Sequence, residues 1–262
     1  MIRLLLISLL FISCKENTDK TEIVNYQIQS EEIKSDTLLA GIQSKIYNAF
    51  VQSLISKNNN VLSELYERLE KVNKEKKQNI ILYWRSYLQF YFSIYYLKKG
   101  DKESAEKEID KGITWLDNME NKNSEDYALL AMLQSFGIQF KGMKAMFISS
   151  DVKKNVKKAI AMDSTNIRAY FVYASNDFYT PEKYGGRKED EKYLLKAISL
   201  SVQKIKNDYL PSWGKEESYE MLIKVYIRKE KWELAKKYFH EGIKSYPESY
   251  IINQLSAKLV GK

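Results

Sequence analysis

The scarcity of helix-breaking residues is the feature that most constrains this chain. Only three prolines and ten glycines occur among 262 residues. Proline cannot continue a helix and glycine weakens one, so a chain with few of either favours long helices joined by short turns. This composition disfavours an all-β fold, which needs frequent turn residues. We therefore expect an all-α protein.

Apolar residues recur with a helical period along most of the chain. The predicted helices span 38–57, 60–74, 79–98, 102–118, 124–147, 152–162, 166–178, 188–205, 215–229, 232–245 and 249–260. Cys14 is the only cysteine, so no disulfide can form within the chain. A packed apolar core, supplied by 44% hydrophobic residues, must hold the helices together.

The clearest internal pattern lies near the C-terminus, where apolar and small residues follow one another at fixed spacing. Its members are Tyr219, Leu222, Ile223, Tyr226, Trp232, Ala235, Phe239, Gly242 and Pro247. Counted from Glu216, they occupy positions 4, 7, 8, 11, 17, 20, 24, 27 and 32. This spacing resembles the tetratricopeptide repeat, a helix–turn–helix unit of 34 residues. Small residues at 20 and 27 let neighbouring helices approach closely, and proline at 32 ends the second helix.

A second match begins at Ser86, and two weaker matches follow it. The residues that correspond to position 27 in the four matches are Gly112, Ala159, Ala197 and Gly242. They lie 47, 38 and 45 residues apart instead of 34, so we expect expanded loops, one of them at 180–186. The resemblance covers about residues 80–260 and implies an α-solenoid of 10–11 helices in antiparallel pairs. The helix at 249–260 would cap its apolar end. An irregular helical bundle remains the alternative.

The N-terminus has the layout of a secretory signal. Residues 4–12 are apolar except for Ser8, and the chain turns polar immediately after Cys14. The apolar run is too short to span a bilayer. The residues around Cys14 resemble a bacterial lipobox, which implies a signal peptide at 1–13 and a lipid on Cys14. Residues 14–37 would then be a flexible tether, on the order of 25–30 Å in reach, before a helical domain at 38–262.

A lipid on Cys14 implies an anchored protein of the bacterial cell envelope, since two or three acyl chains hold a protein stably. Lys15 and Glu16 favour outer-membrane delivery, while the leaflet stays open. The alternative is an ordinary secreted protein with a chance cysteine.

Signals for catalysis or nucleic-acid binding are weak. Net charge is +8, but 42 basic and 34 acidic residues interleave, which argues against a nucleic-acid-binding face. His240 is the only histidine, so neither a histidine metal cluster nor a conventional catalytic triad is expected. The segment 185–188 (Gly-Gly-Arg-Lys) precedes a helix and could meet an anion, although a simple turn explains it equally well. We predict a non-enzymatic protein with no catalytic residues, metal or cofactor.

The helix at 79–98 is unusually aromatic, with tyrosines at 83, 87, 91 and 95. A helix this apolar is normally buried on most sides. The repeat resemblance also implies that particular first-helix positions line a concave groove. On this chain they are Tyr87, Phe90, Ile94, Lys98, Glu217, Glu220, Lys224 and Arg228.

The groove would therefore be aromatic toward one end and charged toward the other, suited to a protein or peptide partner. The alternative is a glycan- or peptide-binding lipoprotein of an uptake system. The partner's identity and the oligomeric state stay open.

Overall fold

The computed structural model describes residues 38–203 and 206–262. Within these ranges the chain forms eleven α-helices and no β-strand, which confirms the predicted all-α class. The helices are α1 (Ile42–Ser56), α2 (Asn60–Glu75), α3 (Asn79–Lys98), α4 (Lys102–Asp117), α5 (Ser124–Gly137), α6 (Ala145–Met162), α7 (Ile167–Tyr179), α8 (Asp190–Ser199), α9 (Lys215–Arg228), α10 (Trp232–Ser245) and α11 (Tyr250–Asn253). Cys14, the predicted signal peptide and the predicted tether lie outside the described residues.

The helices pack as five successive hairpins followed by a short cap. Each odd-numbered helix from α1 to α9 packs against the even-numbered helix that follows it, and also against the next odd-numbered helix. This neighbour-to-neighbour pattern defines a solenoid, with the odd-numbered helices as its inner row. Helix α11 packs on α9 and α10 at the C-terminal end. The predicted solenoid of helix pairs is confirmed.

Two glycines show why the small residues of the repeat pattern are needed. A Cβ on Gly112 would lie 3.2 Å from the Cβ of Gln89 on α3 and 3.1 Å from Leu133 on α5. A Cβ on Gly242 would meet Tyr219 on α9 at 3.4 Å. Gln89 and Tyr219 both occupy position 4 of their repeats, so the position-27 glycines pack directly on the first helix.

Helix α3 is buried on most sides, as its composition predicts. Tyr83, Trp84 and Leu88 are each 1% exposed or less. The one buried cation of this helix, Arg85, pairs with Glu70 of α2 and lies over a tryptophan ring at 4.2 Å. An ion pair and a cation–π contact thus compensate the burial of that charge.

Four predicted helix boundaries are wrong. The helix predicted at 124–147 ends at Gly137, two 3₁₀ turns follow, and α6 begins at Ala145 instead of 152. Gly142 within those turns has φ +50°, a left-handed value that interrupts a helix. The helix predicted at 188–205 ends at Ser199. The predicted C-terminal cap contains only four α-helical residues, although Ile252, Leu255 and Leu259 are buried and still cover the end of the array.

Candidate partner-binding groove

The connection between α8 and α9 folds back across the inner row of helices. We call residues 200–214 the return segment; the structure describes all of it except 204 and 205. The carbonyl of Asp208 accepts a hydrogen bond from the amide of Gly41 at 3.1 Å, just before α1. The carbonyl of Tyr209 accepts one from the indole N–H of Trp84 at 2.8 Å. The return segment therefore lies over the N-terminal ends of α1 and α3.

Trp213 is the main side chain that the return segment inserts between the helices. It is 4% exposed, and its Nε1–H donates to the hydroxyl of Tyr83 at 2.8 Å. Its ring stacks on Tyr87 with centroids 6.1 Å apart and meets Phe171 of α7 edge-on at 6.2 Å. Gln43 of α1 accepts from its backbone amide at 3.1 Å. One side chain thus joins α3 to α7.

Arg168 at the start of α7 holds the return segment from the other side. It is 5% exposed and forms an ion pair with Glu125 of α5. Its Nη1 also donates to the carbonyls of Val202 and Trp213 at 3.2 and 3.3 Å. The sequence interpretation missed this arrangement, because it assigned residues up to 205 to a helix. The available signal was a loop that contains Pro211, with the neighbouring apolar residues Tyr209 and Leu210 and the tryptophan Trp213.

Beside the return segment, five aromatic rings form a continuous row across the inner helices. We call this row the aromatic ladder; in order of contact it consists of Tyr47, Tyr91, Phe90, Phe136 and Phe140. Successive ring centroids are 6.3, 5.4, 5.0 and 6.1 Å apart. The ladder runs over α1, α3, α5 and the 3₁₀ turn that follows α5. Tyr47 is 45% exposed and the other four rings are half-buried, so each retains some surface open to a ligand.

Acidic residues lie close to the ladder. Burial raises the pKa of Tyr91, and the negative charges of Glu217 and Glu216 raise it further. Its phenol is therefore neutral throughout the physiological range, and lies 3.4 Å from the hydroxyl of Tyr87. Burial also raises the pKa of Glu217. The raised pKa disfavours the charge on Glu217, so Glu216 is the better source of negative charge near the ladder.

The predicted groove residues of α3 lie in different environments. Tyr87 is buried beneath Trp213 and is not free to meet a partner. Phe90 belongs to the aromatic ladder. Ile94 is half-buried, and Lys98 is exposed in the last turn of the helix.

The predicted groove residues of α9 form hydrogen bonds and ion pairs within the chain. Glu217 accepts a hydrogen bond from the amide of Gly214 at 2.7 Å and so caps the helix. Glu220 pairs with Lys224 one turn later. Arg228 pairs with Asp190 of α8. These intramolecular contacts stabilise α9, and they were not visible from the repeat register alone.

Other candidate sites have plain structural roles. The amides of Gly185, Gly186 and Arg187 all donate to carbonyls of the same loop or of α7. A Cβ on Gly186 would lie 2.1 Å from the carbonyl oxygen of Thr180, so this is a tight turn. His240 is exposed on α10.

Across 38–203 and 206–262, no group of three or more metal-binding side chains comes together. No helix in this part of the chain is long and apolar enough to cross a bilayer.

Comparison with known proteins identifies the fold. Neither a protein-family model nor a curated protein matches the sequence. Among solved structures, the chain is similar to TTC0263, a thermophilic TPR protein of Thermus thermophilus. The TM-score is 0.54 at 13% sequence identity, over 82% of this chain and 98% of that one. The likeness shows a tetratricopeptide-type helical array.

Proposed function

We propose that this protein is a non-enzymatic, lipid-anchored adaptor of the bacterial cell envelope that binds a protein segment on its aromatic ladder. The observation that carries the proposal is the ladder itself. Five rings in mutual contact are left partly open on the inner row of a tetratricopeptide-type array. Aromatic side chains are common anchors of protein interfaces because they bury a large area at low entropic cost.

The ladder favours a particular kind of partner. Apolar or aromatic side chains would pack against the rings. A basic residue would suit the negative charge of Glu216 at the start of α9. Because the return segment covers the N-terminal ends of α1 and α3, the partner would lie on the part of the inner row that the segment leaves open.

A protein ligand is favoured over a glycan by the positions of the tryptophans. All four lie in the described part of the chain. Trp84 and Trp213 are buried. Trp115 and Trp232 each carry a cationic side chain, 4.2 and 5.0 Å from the ring centroid. Two of the four indole rings are therefore buried and the other two already have a cation against one face, which leaves little open ring surface for stacking on sugars.

Binding is testable with a displayed library of random peptides. We expect selection on the wild-type protein to enrich peptides that combine apolar and basic residues. Affinity for one enriched synthetic peptide should fall at least about tenfold in Tyr47→Ser and in Glu216→Lys. Tyr250→Ser is the matched control, because Tyr250 is 73% exposed on α11 and is not part of the ladder. Equal affinity in all four proteins would refute the ladder as the binding site.

The anchor is supported by the sequence around Cys14 and needs a separate test. Cells supplied with a labelled fatty acid should incorporate it into the wild-type protein and not into Cys14→Ser. The wild-type protein should fractionate with membranes. An unlabelled wild-type protein would exclude the anchor while leaving the ladder untouched.

A further inference from the structure

The 3₁₀ turn before α6 and the first turn of α6 expose an unusual group of large apolar side chains. Met143, Met146 and Phe147 are 97%, 73% and 69% exposed. We call these three residues the apolar apex. Leaving this much apolar surface in water is unfavourable, and contiguous exposed patches commonly mark a contact site.

The base of the apolar apex is firmly held. Lys141 forms ion pairs with Glu106 and Asp110 of α4 at 2.7 and 2.6 Å. On the other side, α6 buries Val152 and Val156 completely. The three exposed side chains are therefore presented at the tip of a well-packed support.

One exposed lysine lies within the apex, and further exposed lysines follow along α6. Residues 143–158 contain five lysines and one aspartate, a net charge of +4. Lys144, Lys153, Lys154 and Lys157 are the members that flank the apex and follow it along α6. Lys154 follows Phe147 by seven residues, which places it two turns further along the same face, about 10 Å away at 1.5 Å per residue.

We infer that the apolar apex inserts into the surface of a membrane that contains anionic lipids. Methionine and phenylalanine side chains at the tip would enter the boundary between headgroups and acyl chains. Lysines about 10 Å behind them would meet the phosphates, as in interfacial helices that combine an apolar part with basic residues. A protein partner fits this surface less well, because the centres of protein interfaces are depleted in lysine and larger than three side chains.

This inference goes beyond the proposed adaptor function and does not depend on a lipid at Cys14. If Cys14 is lipidated, the apex provides a second attachment point. That contact would hold the helical array against the bilayer instead of leaving Cys14 as the single point of attachment.

The absence of cysteines after Cys14 makes a site-specific probe possible. In the full chain carrying Cys14→Ser, Met146→Cys would be labelled with the environment-sensitive fluorophore NBD. Ile55→Cys, at a position 77% exposed on α1, is the matched control. With phosphatidylglycerol/phosphatidylethanolamine vesicles, we expect a blue shift and quenching by brominated lipid at 146 but not at 55. Phosphatidylcholine vesicles or about 0.5 M salt should abolish the change.

A second comparison measures affinity without a label. Met143→Ser/Met146→Ser/Phe147→Ser, in the Cys14→Ser chain, should lose about tenfold in vesicle binding relative to Cys14→Ser alone. Its circular dichroism should be unchanged, because the three side chains are exposed. Its affinity for a ladder-binding peptide should also be unchanged, which separates this inference from the proposed function.

Three results would overturn the inference. The first is no spectral change at 146 on anionic vesicles. The second is an equal change at 55, which would indicate unspecific adsorption. The third is a change at 146 that depends on protein concentration without vesicles, which would indicate self-association through the apex.

Discussion

Asp126 illustrates how a single buried carboxyl can both support a helix and weaken the protein. It lies in the first turn of α5, is 2% exposed and accepts a hydrogen bond from the amide of Asn123 at 2.9 Å. Burial raises its pKa to about 7, and the charge of Glu125 adds to the shift. In the unfolded chain the carboxyl would titrate near its ordinary value of about 3.9.

We predict that Asp126→Asn stabilises the protein at pH 8 and has little effect at pH 4. The native state retains a proton that the unfolded state releases, so the wild-type protein loses stability as the pH rises from about 4 to about 7. The amide oxygen of asparagine can still accept from Asn123 but carries no charge. We expect the variant to gain on the order of 2–4 kcal/mol at pH 8, from about 1.4 kcal/mol per pKa unit.

Urea unfolding of both proteins between pH 4 and pH 8 would measure this gain. The difference in the free energy of unfolding should widen with pH and level off above pH 7. A difference that is constant across this range would show that Asp126 is not protonated in the native state.

At the scale of helices, the repeat is maintained by close approach at a few small residues. Gly112 and Gly242 occupy the same repeat position, but their surroundings differ. A Cβ on Gly112 would crowd the Cβ of Gln89 and the carbonyl oxygen of Ser86, each at 3.2 Å. At Gly242 the tightest contact of such a Cβ would be the flexible end of Ile252, at 3.1 Å.

We predict that Gly112→Ala destabilises the protein and that Gly242→Ala is close to neutral. Alanine gains about 1 kcal/mol over glycine in a helix interior. At 112 we expect overpacking to outweigh that gain, for a net loss of about 1–2 kcal/mol. At 242 the side chain of Ile252 can turn away at the end of the array, so the net change should stay within about 0.5 kcal/mol. Thermal unfolding of the two variants would measure both changes in stability. Equal losses of stability would show that the surroundings of Gly112 and Gly242 are equally rigid.

The environment of α3 shows what the repeat register can and cannot predict about the candidate site. The repeat register predicted that Phe90 lines a groove, and the structure places its ring in the aromatic ladder. The register could not show that the adjacent Tyr87 is covered, because the covering residue, Trp213, lies 126 positions further along the chain. Which inner-row residues remain open is decided by this distant segment.

For the whole molecule, the return segment changes the energetics expected of a solenoid. Helical repeats normally contact only their neighbours. Here the indole N–H of Trp213 donates a hydrogen bond to Tyr83, 130 positions earlier in the chain. The amide of Ser212 donates one to Gln43, 169 positions earlier. The return segment therefore couples the first hairpins to α7 and α9 and should make the array unfold more cooperatively.

We predict that Trp213→Ala costs about 3–5 kcal/mol, as expected for truncation of a buried tryptophan. Its urea unfolding should become broader or split, and amides of α1 and α3 should lose more protection from hydrogen exchange than those of α10. Trp213→Phe is the control, since it keeps a ring against Tyr87 and Phe171. It loses the hydrogen bond to Tyr83, which should cost about 1 kcal/mol. A sharp single transition in Trp213→Ala would show that the return segment does not couple the hairpins.

The sequence alone determined the helical class, most helix positions and the pairing of helices. These depend on local periodicity and on small residues such as Gly112 and Gly242, which act over a few turns. Tertiary structure alone decided that the return segment covers Tyr87, and that the aromatic ladder beside it stays partly open. The return segment has no periodicity, and its contacts join residues more than a hundred positions apart, so no local pattern encodes where it lies.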